Sequence, residues 1–91
     1  MLKVEKTDQF ILDLEGIVLH IAQDNVPAAV ALEEHMHDQV DNLKDPNFPR
    51  RRGRKAGTLE LVAHPNYLVV LKQTETLVTA LAIMHVARQY P

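Results

Sequence analysis

The sequence contains no cysteine and no tryptophan, and only two phenylalanines and two tyrosines among its 91 residues. Without cysteine the chain can form no disulfide, hold no zinc through thiolates and offer no thiol nucleophile, which fits a reducing compartment. No apolar stretch approaches the roughly 20 residues that span a bilayer, and the N-terminus lacks the apolar segment of a signal peptide. We therefore expect a cytoplasmic protein that does not engage a membrane.

Glycine is also scarce, with three residues in the whole chain, and no glycine-rich loop of the kind that cradles phosphates is present. The sequence shows neither paired catalytic carboxylates nor a serine triad. Hydrolase and nucleotide-binding functions therefore have no support, and we expect no cofactor and no small-molecule substrate. The length predicts a single small domain, residues 1–91, and a domain of this size buries only about 60–65% of its unfolded surface.

Positive charge is concentrated in one short segment, although the chain as a whole has a net charge of −2. Five of the ten Lys and Arg residues occupy positions 50–55, whereas residues 1–45 hold ten of the twelve acidic residues. We call this segment the basic run; it consists of Arg50, Arg51, Arg52, Arg54 and Lys55. Such a run is typical of a solvated loop, and it is also typical of a surface that binds an acidic partner.

The first half of the chain has the periodicity of helices. A short alternation at Leu2 and Val4 predicts a strand, and Thr7 is suited to cap a first helix. Apolar residues at three- and four-residue steps predict that helix and a second one, which has Pro27 at its first position and ends before Pro46. The predicted apolar stripes are Phe10, Leu14, Ile17, Val18 and Ile21 in the first helix, and Ala29, Leu32, Met36, Val40 and Leu43 in the second.

From Thr58 onwards the period changes to two and β-branched residues become frequent. The pattern predicts three strands, TLELVA, YLVVLKQ and LVTALAIMHVA, separated by the turns HPN and TET. The last strand is apolar at nearly every position, which favours a central place in the sheet. The sequence thus predicts an α+β fold of order β-α-α-β-β-β, with a two-helix hairpin packed on a small, mostly antiparallel four-stranded sheet. The basic run connects the second helix to this sheet.

Five histidines raise the question of a metal site. His35 and His37 are two residues apart and therefore point to different sides of a helix. Glu33, His37 and Asp41 stack at four-residue steps, but such a trio is more typical of a hydrated acidic face than of a zinc site. We therefore expect no bound metal.

The other three histidines have local interpretations. His20 lies beside the apolar stripe of the first helix, which favours a half-buried packing role. His64 begins the His-Pro-Asn turn and is placed to bond the backbone there, while Tyr67 opens the next strand and packs its ring. His85 lies on an otherwise apolar strand, where a histidine is either a satisfied core residue or a catalyst.

The C-terminal half of the sequence resembles a known family. GTLELVAHPNYLVVL followed by ALAIMHVARQYP is similar to the RelE/ParE superfamily of toxins from type II toxin-antitoxin modules, and most closely to its ParE-like, plasmid-stabilisation branch. The resemblance extends over the whole chain, including the helical pattern from Asp13 to Ile21 and the Gly/Arg-rich link. It implies the α+β fold given above, and a growth-inhibiting toxin that forms a hetero-oligomer with a cognate antitoxin.

The resemblance leaves the target open, because the superfamily includes gyrase poisons, ribosome-dependent mRNA endonucleases and members whose target is unsettled. ParE-like action implies a binding protein that disables a macromolecule such as DNA gyrase. A nuclease would need no metal; Arg54 and Lys55 would hold phosphate, and His85 would act as base or acid. Arg88 and Tyr90 lie in the tail that nuclease members use. The third alternative is an inactive relative that only binds antitoxin.

Three positions depart from the family's pattern. Relatives usually have arginine where this chain has Leu59, a Tyr-Arg pair where it has Leu71 and Lys72, and an aromatic residue near Lys6. Loss of one preorganised donor costs about 10²- to 10³-fold in rate, so Leu59 predicts weak or absent nuclease activity. Toxins of this type are held by an acidic or amphipathic antitoxin segment that folds on binding, and the basic run is where the resemblance implies that such a segment docks.

Overall fold

The computed structural model describes residues 1–86, and residues 87–91 lie outside this part. In chain order its elements are β1 (Lys3–Lys6), α1 (Asp8–Ala22), α2 (Val26–Asp41), a 3₁₀ turn (Asn42–Lys44), β2 (Arg51–Arg52), β3 (Leu59–His64), β4 (Tyr67–Gln73) and β5 (Leu77–His85). The two helices pack on one face of a five-stranded sheet, which confirms the predicted α+β class. Neither helix is long and apolar enough to cross a membrane.

Helix α1 begins where its cap and its apolar stripe predict. The hydroxyl of Thr7 accepts a hydrogen bond from the N–H of Phe10 at 3.1 Å, and Asp8 in the first turn suits the positive end of the helix dipole. Phe10 is fully buried, and the rest of the predicted stripe is buried or packs at the margin of the core: Leu14, Ile17, Val18 and Ile21. This stripe is the surface that fixes α1 on the sheet.

Helix α2 is capped by Asn25, whose side-chain oxygen accepts a hydrogen bond from the N–H of Ala28 at 3.0 Å. Pro27 is therefore the second residue of the helix rather than the first, and the N–H it lacks has no intrahelical partner at either position. The helix ends at Asp41, and Pro46 lies beyond the following 3₁₀ turn. All five residues of the predicted stripe are buried: Ala29, Leu32, Met36, Val40 and Leu43.

The sheet has the order β1-β5-β4-β3-β2. Strand β1 runs parallel to β5, and the other neighbouring strands are antiparallel. Strand β5 is therefore paired on both sides, as its apolar sequence predicts. Strand β4 coincides with the predicted YLVVLKQ and β3 begins one residue later than TLELVA, whereas β5 ends at His85, short of the predicted Ala87, which lies outside the described residues.

The sheet has five strands rather than the predicted four, because part of the basic run pairs with β3. The segment Arg51–Arg52 lies opposite Glu60 and Leu59. The pairing stops after two residues because Pro49, which has no N–H to donate, would lie opposite Val62 if β2 continued. The prediction that the basic run is a plain connection is therefore wrong for these two arginines.

The two faces of the sheet differ in what covers them. The face beneath the helices carries the core, whose strand residues are Leu61, Ala63, Val69, Leu71, Val78, Ala80 and Ile83. On the opposite face Leu68 is fully buried between Val62 and Met84, which are 49% and 47% exposed. Apolar side chains therefore reach the surface on the face that points away from the helices.

Beyond the end of β1, side chains from the start of α1 bond the edge of β5. The hydroxyl of Thr7 donates to the carbonyl of Leu81 at 2.8 Å, and Oδ2 of Asp13 accepts a hydrogen bond from the N–H of Ile83 at 2.9 Å. Oδ1 of Asp13 accepts a hydrogen bond from the side chain of Gln9 at 2.7 Å. Asp13 therefore ties α1 to β5.

We expect Asp13→Ala to lower the free energy of unfolding by about 1–3 kcal/mol, because the N–H of Ile83 loses its acceptor. Asp13→Asn retains a side-chain oxygen that can accept this hydrogen bond, so it should lower the free energy of unfolding by less. Glu15→Ala, which removes an exposed carboxylate from the same helix, is the control. The three variants are compared by urea denaturation, and equal losses for Asp13→Ala and Glu15→Ala would show that the tie contributes nothing.

Candidate functional site

Most of the basic run lies in a β-hairpin, residues 51–60, which we call the basic hairpin. The N–H of Gly53 donates to the carbonyl of Thr58 at 2.8 Å, and both the N–H and the hydroxyl of Thr58 donate to the carbonyl of Lys55. A Cβ at Gly53 would lie 2.2 Å from Oγ1 of Thr58, and Gly57 has a φ of 84°, which side chains other than glycine rarely adopt. The tip of the hairpin is therefore an ordered turn.

Arg50 bonds the loop that precedes the hairpin. Its guanidinium donates to the carbonyl oxygens of Phe48 at 3.0 Å and Leu43 at 3.3 Å, and to the side chain of Gln73 at 3.0 Å. It also donates to the carbonyl of Asp45. Burial lowers the pKa of Arg50, and the negative charge of Asp45 opposes that shift. Arg50 therefore fixes the position of the loop against the end of β4.

Glu60 is a buried carboxylate within the hairpin, with only 6% of the residue exposed. Its Oε1 accepts a hydrogen bond from Nε of Arg51 at 3.1 Å, and its Oε2 accepts one from the backbone N–H of Arg54 at 3.4 Å. The sequence pattern alone does not reveal the role of Glu60, because that role follows from the pairing register that places it opposite Arg51. That register depends on a strand which the sequence pattern did not predict.

The five residues of the basic run thus have different surroundings. Arg50 and Arg51 bond neighbouring loop and strand atoms, as described above. The side chains of Arg52, Arg54 and Lys55 are exposed on the hairpin. Three positive charges therefore stand close together at one corner of the molecule, on a backbone that its own hydrogen bonds keep ordered.

A groove of about 340 Å³ lies beside the hairpin, along the outer edge of β3. In an antiparallel strand, residues that are two positions apart direct their N–H and C=O groups to the same side. Because Thr58 and Glu60 face β2, Val62 turns these groups towards the groove. Main-chain groups and apolar walls of this kind suit an extended peptide. The groove is lined chiefly by Phe48, Pro49, Arg50, Arg51, Leu61 and Val62.

Four rings follow one another at the other end of the sheet, with centroids 6.2, 5.4 and 5.3 Å apart, in the order His35, His64, Tyr67 and His85. Nδ1 of His64 accepts a hydrogen bond from the N–H of Asn66 at 3.0 Å, which confirms the predicted turn contact. Nε2 of His35 lies 2.6 Å from the carbonyl oxygen of Ala63. The ring of Tyr67 packs between two imidazoles, as its place at the start of the strand predicts.

His85 and Tyr67 also line an open groove of about 460 Å³ between α1 and the sheet, together with Asp13 and His20. His20 is exposed, so the prediction that it is half-buried is wrong. One turn away, Gly16 has no atom within 4 Å of the place where a Cβ would stand, which leaves this side of α1 open. This groove therefore brings together His20 and His85, for which the sequence had indicated only separate local roles.

The basic hairpin and His85 lie at opposite ends of the sheet. His85 is next to the β3–β4 turn, whereas Arg54 and Lys55 are in the β2–β3 turn. Strand β3 spans six residues between these turns, and at about 3.3 Å per residue the separation is at least roughly 16 Å. The structure therefore does not bring these predicted nuclease residues together. Arg88 and Tyr90 lie outside the described residues.

The structure also shows what occupies the positions where the chain departs from its relatives. Leu59 and Leu71 lie opposite each other on β3 and β4 and pack with the core, so neither offers a polar group to a ligand. Nζ of Lys6 lies 2.9 Å from Oδ1 of Asp41 and 2.9 Å from Nδ1 of His37. Lys6 therefore supplies the positive charge next to His37 and Asp41 of α2. Residues 1–86 contain no cluster of three or more His, Asp or Glu side chains suited to a metal.

Comparison with known proteins agrees with this architecture. The family described as the ParE toxin of the type II toxin-antitoxin system, parDE, matches residues 4–90. A chain of the chromosomal ParDE toxin-antitoxin system from P. aeruginosa superposes with a TM-score of 0.82 at 20% identity, and the match covers 94% of this chain and 97% of that one. No curated protein sequence matches.

Two further solved structures share the fold. YafQ from E. coli strain BL21(DE3) superposes with a TM-score of 0.58 at 16% identity, with 100% of both chains covered. The conserved hypothetical protein HP0894 from Helicobacter pylori superposes with a TM-score of 0.57 at 21% identity, with 96% of this chain and 97% of that one covered. These likenesses are evidence of fold, whereas the family match extends over nearly the whole sequence. The chain therefore belongs to the ParE family of toxins of type II toxin-antitoxin systems.

Proposed function

We propose that this toxin acts by binding: it occupies a macromolecular target such as DNA gyrase and disables it without covalent chemistry of its own. The proposal rests on the distance between the basic hairpin and His85. Cleavage of RNA needs a base, an acid and fixed positive charge around one phosphate. In the described part of the chain, the charge of Arg54 and Lys55 and the imidazole of His85 stand at opposite ends of the sheet.

We also propose that the basic hairpin and the groove along β3 are where a cognate antitoxin docks. The P. aeruginosa relative comes from a ParDE system, and E. coli YafQ has been seen in a complex with DinJ. An acidic, extended antitoxin segment would pair with the outer edge of β3, and its carboxylates would meet Arg52, Arg54 and Lys55. A target that uses the same hairpin would then be excluded by the antitoxin, which explains neutralisation by competition.

A metal-independent mRNA endonuclease is the second candidate. The observation in its favour is the open groove between α1 and the sheet, which is lined by the imidazoles of His20 and His85 and the phenol of Tyr67, because such groups can transfer protons. A third candidate is an inactive relative that only binds antitoxin, which the apolar contacts of Leu59 favour over the nuclease.

The test of target is to induce the toxin in growing bacteria and to follow incorporation of labelled thymidine and labelled methionine over the first minutes. We expect thymidine incorporation to fall first, because a gyrase-like target stops replication. A fall in methionine incorporation before thymidine would instead identify translation as the target. Cells carrying the same vector without the toxin gene provide the baseline.

We expect His85→Ala to leave growth arrest intact, because a binding toxin needs no proton transfer. A nuclease that used His85 would lose about 10²- to 10⁴-fold in rate. His35→Ala, which removes another ring of the same row, controls for damage to packing at this end of the sheet. Loss of arrest in His85→Ala alone, with the protein still folded, would replace the binding mechanism by the nuclease.

A further inference from the structure

The basic hairpin has to keep its tip ordered against its own charge. Arg52, Arg54 and Lys55 lie within four positions, and their side chains are exposed on the hairpin. Like charges at this spacing repel one another, and the repulsion favours an open loop over a closed turn. The bonds among Gly53, Lys55 and Thr58 close the turn internally, but none of them joins the tip to the body of the sheet.

Glu60 provides one such connection. One carboxylate oxygen holds the side chain of Arg51 on β2, and the other holds the backbone N–H of Arg54 in the turn. The side chain of Glu60 is 8% exposed, against 55% for Arg51. A buried carboxylate is costly unless its oxygens are bonded. Glu60 therefore favours the conformation in which both partners are in place.

We propose that Glu60 is the positioning residue of the basic hairpin: its carboxylate holds the tip in the geometry that an anionic partner recognises. This inference rests on the proposed role of the hairpin as the docking surface. It assigns Glu60 an effect on binding that passes through Arg51 and Arg54, because its side chain, although it lies at the wall of the groove, is only 8% exposed. The partner chemistry is that of a protein segment rich in carboxylates.

The direction in which Glu60→Gln changes binding distinguishes a positioning role from a simple effect of charge. Removing the negative charge of Glu60 makes the hairpin more positive, and long-range attraction alone would then strengthen binding to an anionic partner. Loss of positioning predicts the reverse, because a mobile tip must be ordered at the moment of binding. A weaker interaction in Glu60→Gln is therefore not explained by electrostatics.

The experiment compares the full chain with Glu60→Gln and Glu60→Asp by amide hydrogen exchange. We expect exchange at the N–H of Arg54 to speed up about tenfold in Glu60→Gln, because its single side-chain oxygen cannot replace both carboxylate oxygens. Exchange should change less in Glu60→Asp, and core amides such as that of Val69 should stay protected. Glu5→Gln is the matched control, because it removes the same charge from an exposed carboxylate near Lys3 on another strand. Equal exchange at Arg54 in the Glu60→Gln and Glu5→Gln proteins would overturn the proposal.

The functional readout is the dissociation constant of the complex with the cognate antitoxin. We expect Glu60→Gln to bind the antitoxin severalfold more weakly than Glu5→Gln does. Faster exchange at Arg54 with undiminished antitoxin binding would overturn the binding role of Glu60. Hydrogen exchange needs no toxicity, so a wild-type chain that fails to arrest growth would refute the proposed function while leaving the exchange result to stand by itself.

Discussion

Replacing Phe10 with alanine should lower the free energy of unfolding by about 3–5 kcal/mol. The side chain is fully buried in the core and meets the ring of His37 edge-on at a centroid distance of 6.1 Å. Its removal leaves a cavity between α1, α2 and the sheet, in addition to the lost transfer free energy. The free energy of unfolding of a native domain is only about 5–15 kcal/mol, so this variant should be largely unfolded at modest denaturant concentrations.

An exposed residue of the same helix supplies the control. Leu12 is 60% exposed, so Leu12→Ala removes apolar atoms that are largely hydrated already. We expect its urea midpoint to stay close to that of the wild type, while the midpoint of Phe10→Ala falls steeply. Similar midpoints for the two variants would mean that the stripe containing Phe10 does not carry the packing of α1.

The periodicity of the sequence was sufficient to predict most of the residues of this core. All ten residues of the two predicted stripes are buried or packed at its margin, and the apolar character of β5 indicated that this strand is not at an edge of the sheet. These features depend on local spacing, which a sequence displays directly. The start of α2 was misjudged by one position, because Val26 precedes the proline within the helix.

The candidate site was less accessible to prediction, because its organisation depends on contacts between distant segments. The sequence marked the basic run but could not show that Arg50 bonds Gln73, or that Arg51 pairs with the buried Glu60. Short edge strands such as β2 carry too few residues for a period to be visible. The separation of His85 from the hairpin likewise follows from the sheet topology rather than from residue spacing.

The charge of the hairpin tip supports a second strong prediction. The combined variant Arg52→Gln, Arg54→Gln and Lys55→Gln should slow association with the cognate antitoxin. Electrostatic steering raises association rates by about 10- to 10³-fold, and we expect a loss of at least about tenfold at low ionic strength. The difference should shrink as salt is added, because exposed charges are screened over about 8–10 Å near physiological salt.

A second triple variant separates local from global charge. Lys3→Gln, Lys44→Gln and Lys72→Gln together remove the same number of exposed positive charges from sites outside the hairpin. If net charge alone governs association, both triple variants will slow it equally. If the ordered hairpin is the docking surface, the loss will be confined to the first variant and will also appear as faster dissociation, because carboxylates bonded to the tip lose their donors. Equal rates for the two variants would move the docking surface away from the hairpin, and with it the positioning role of Glu60.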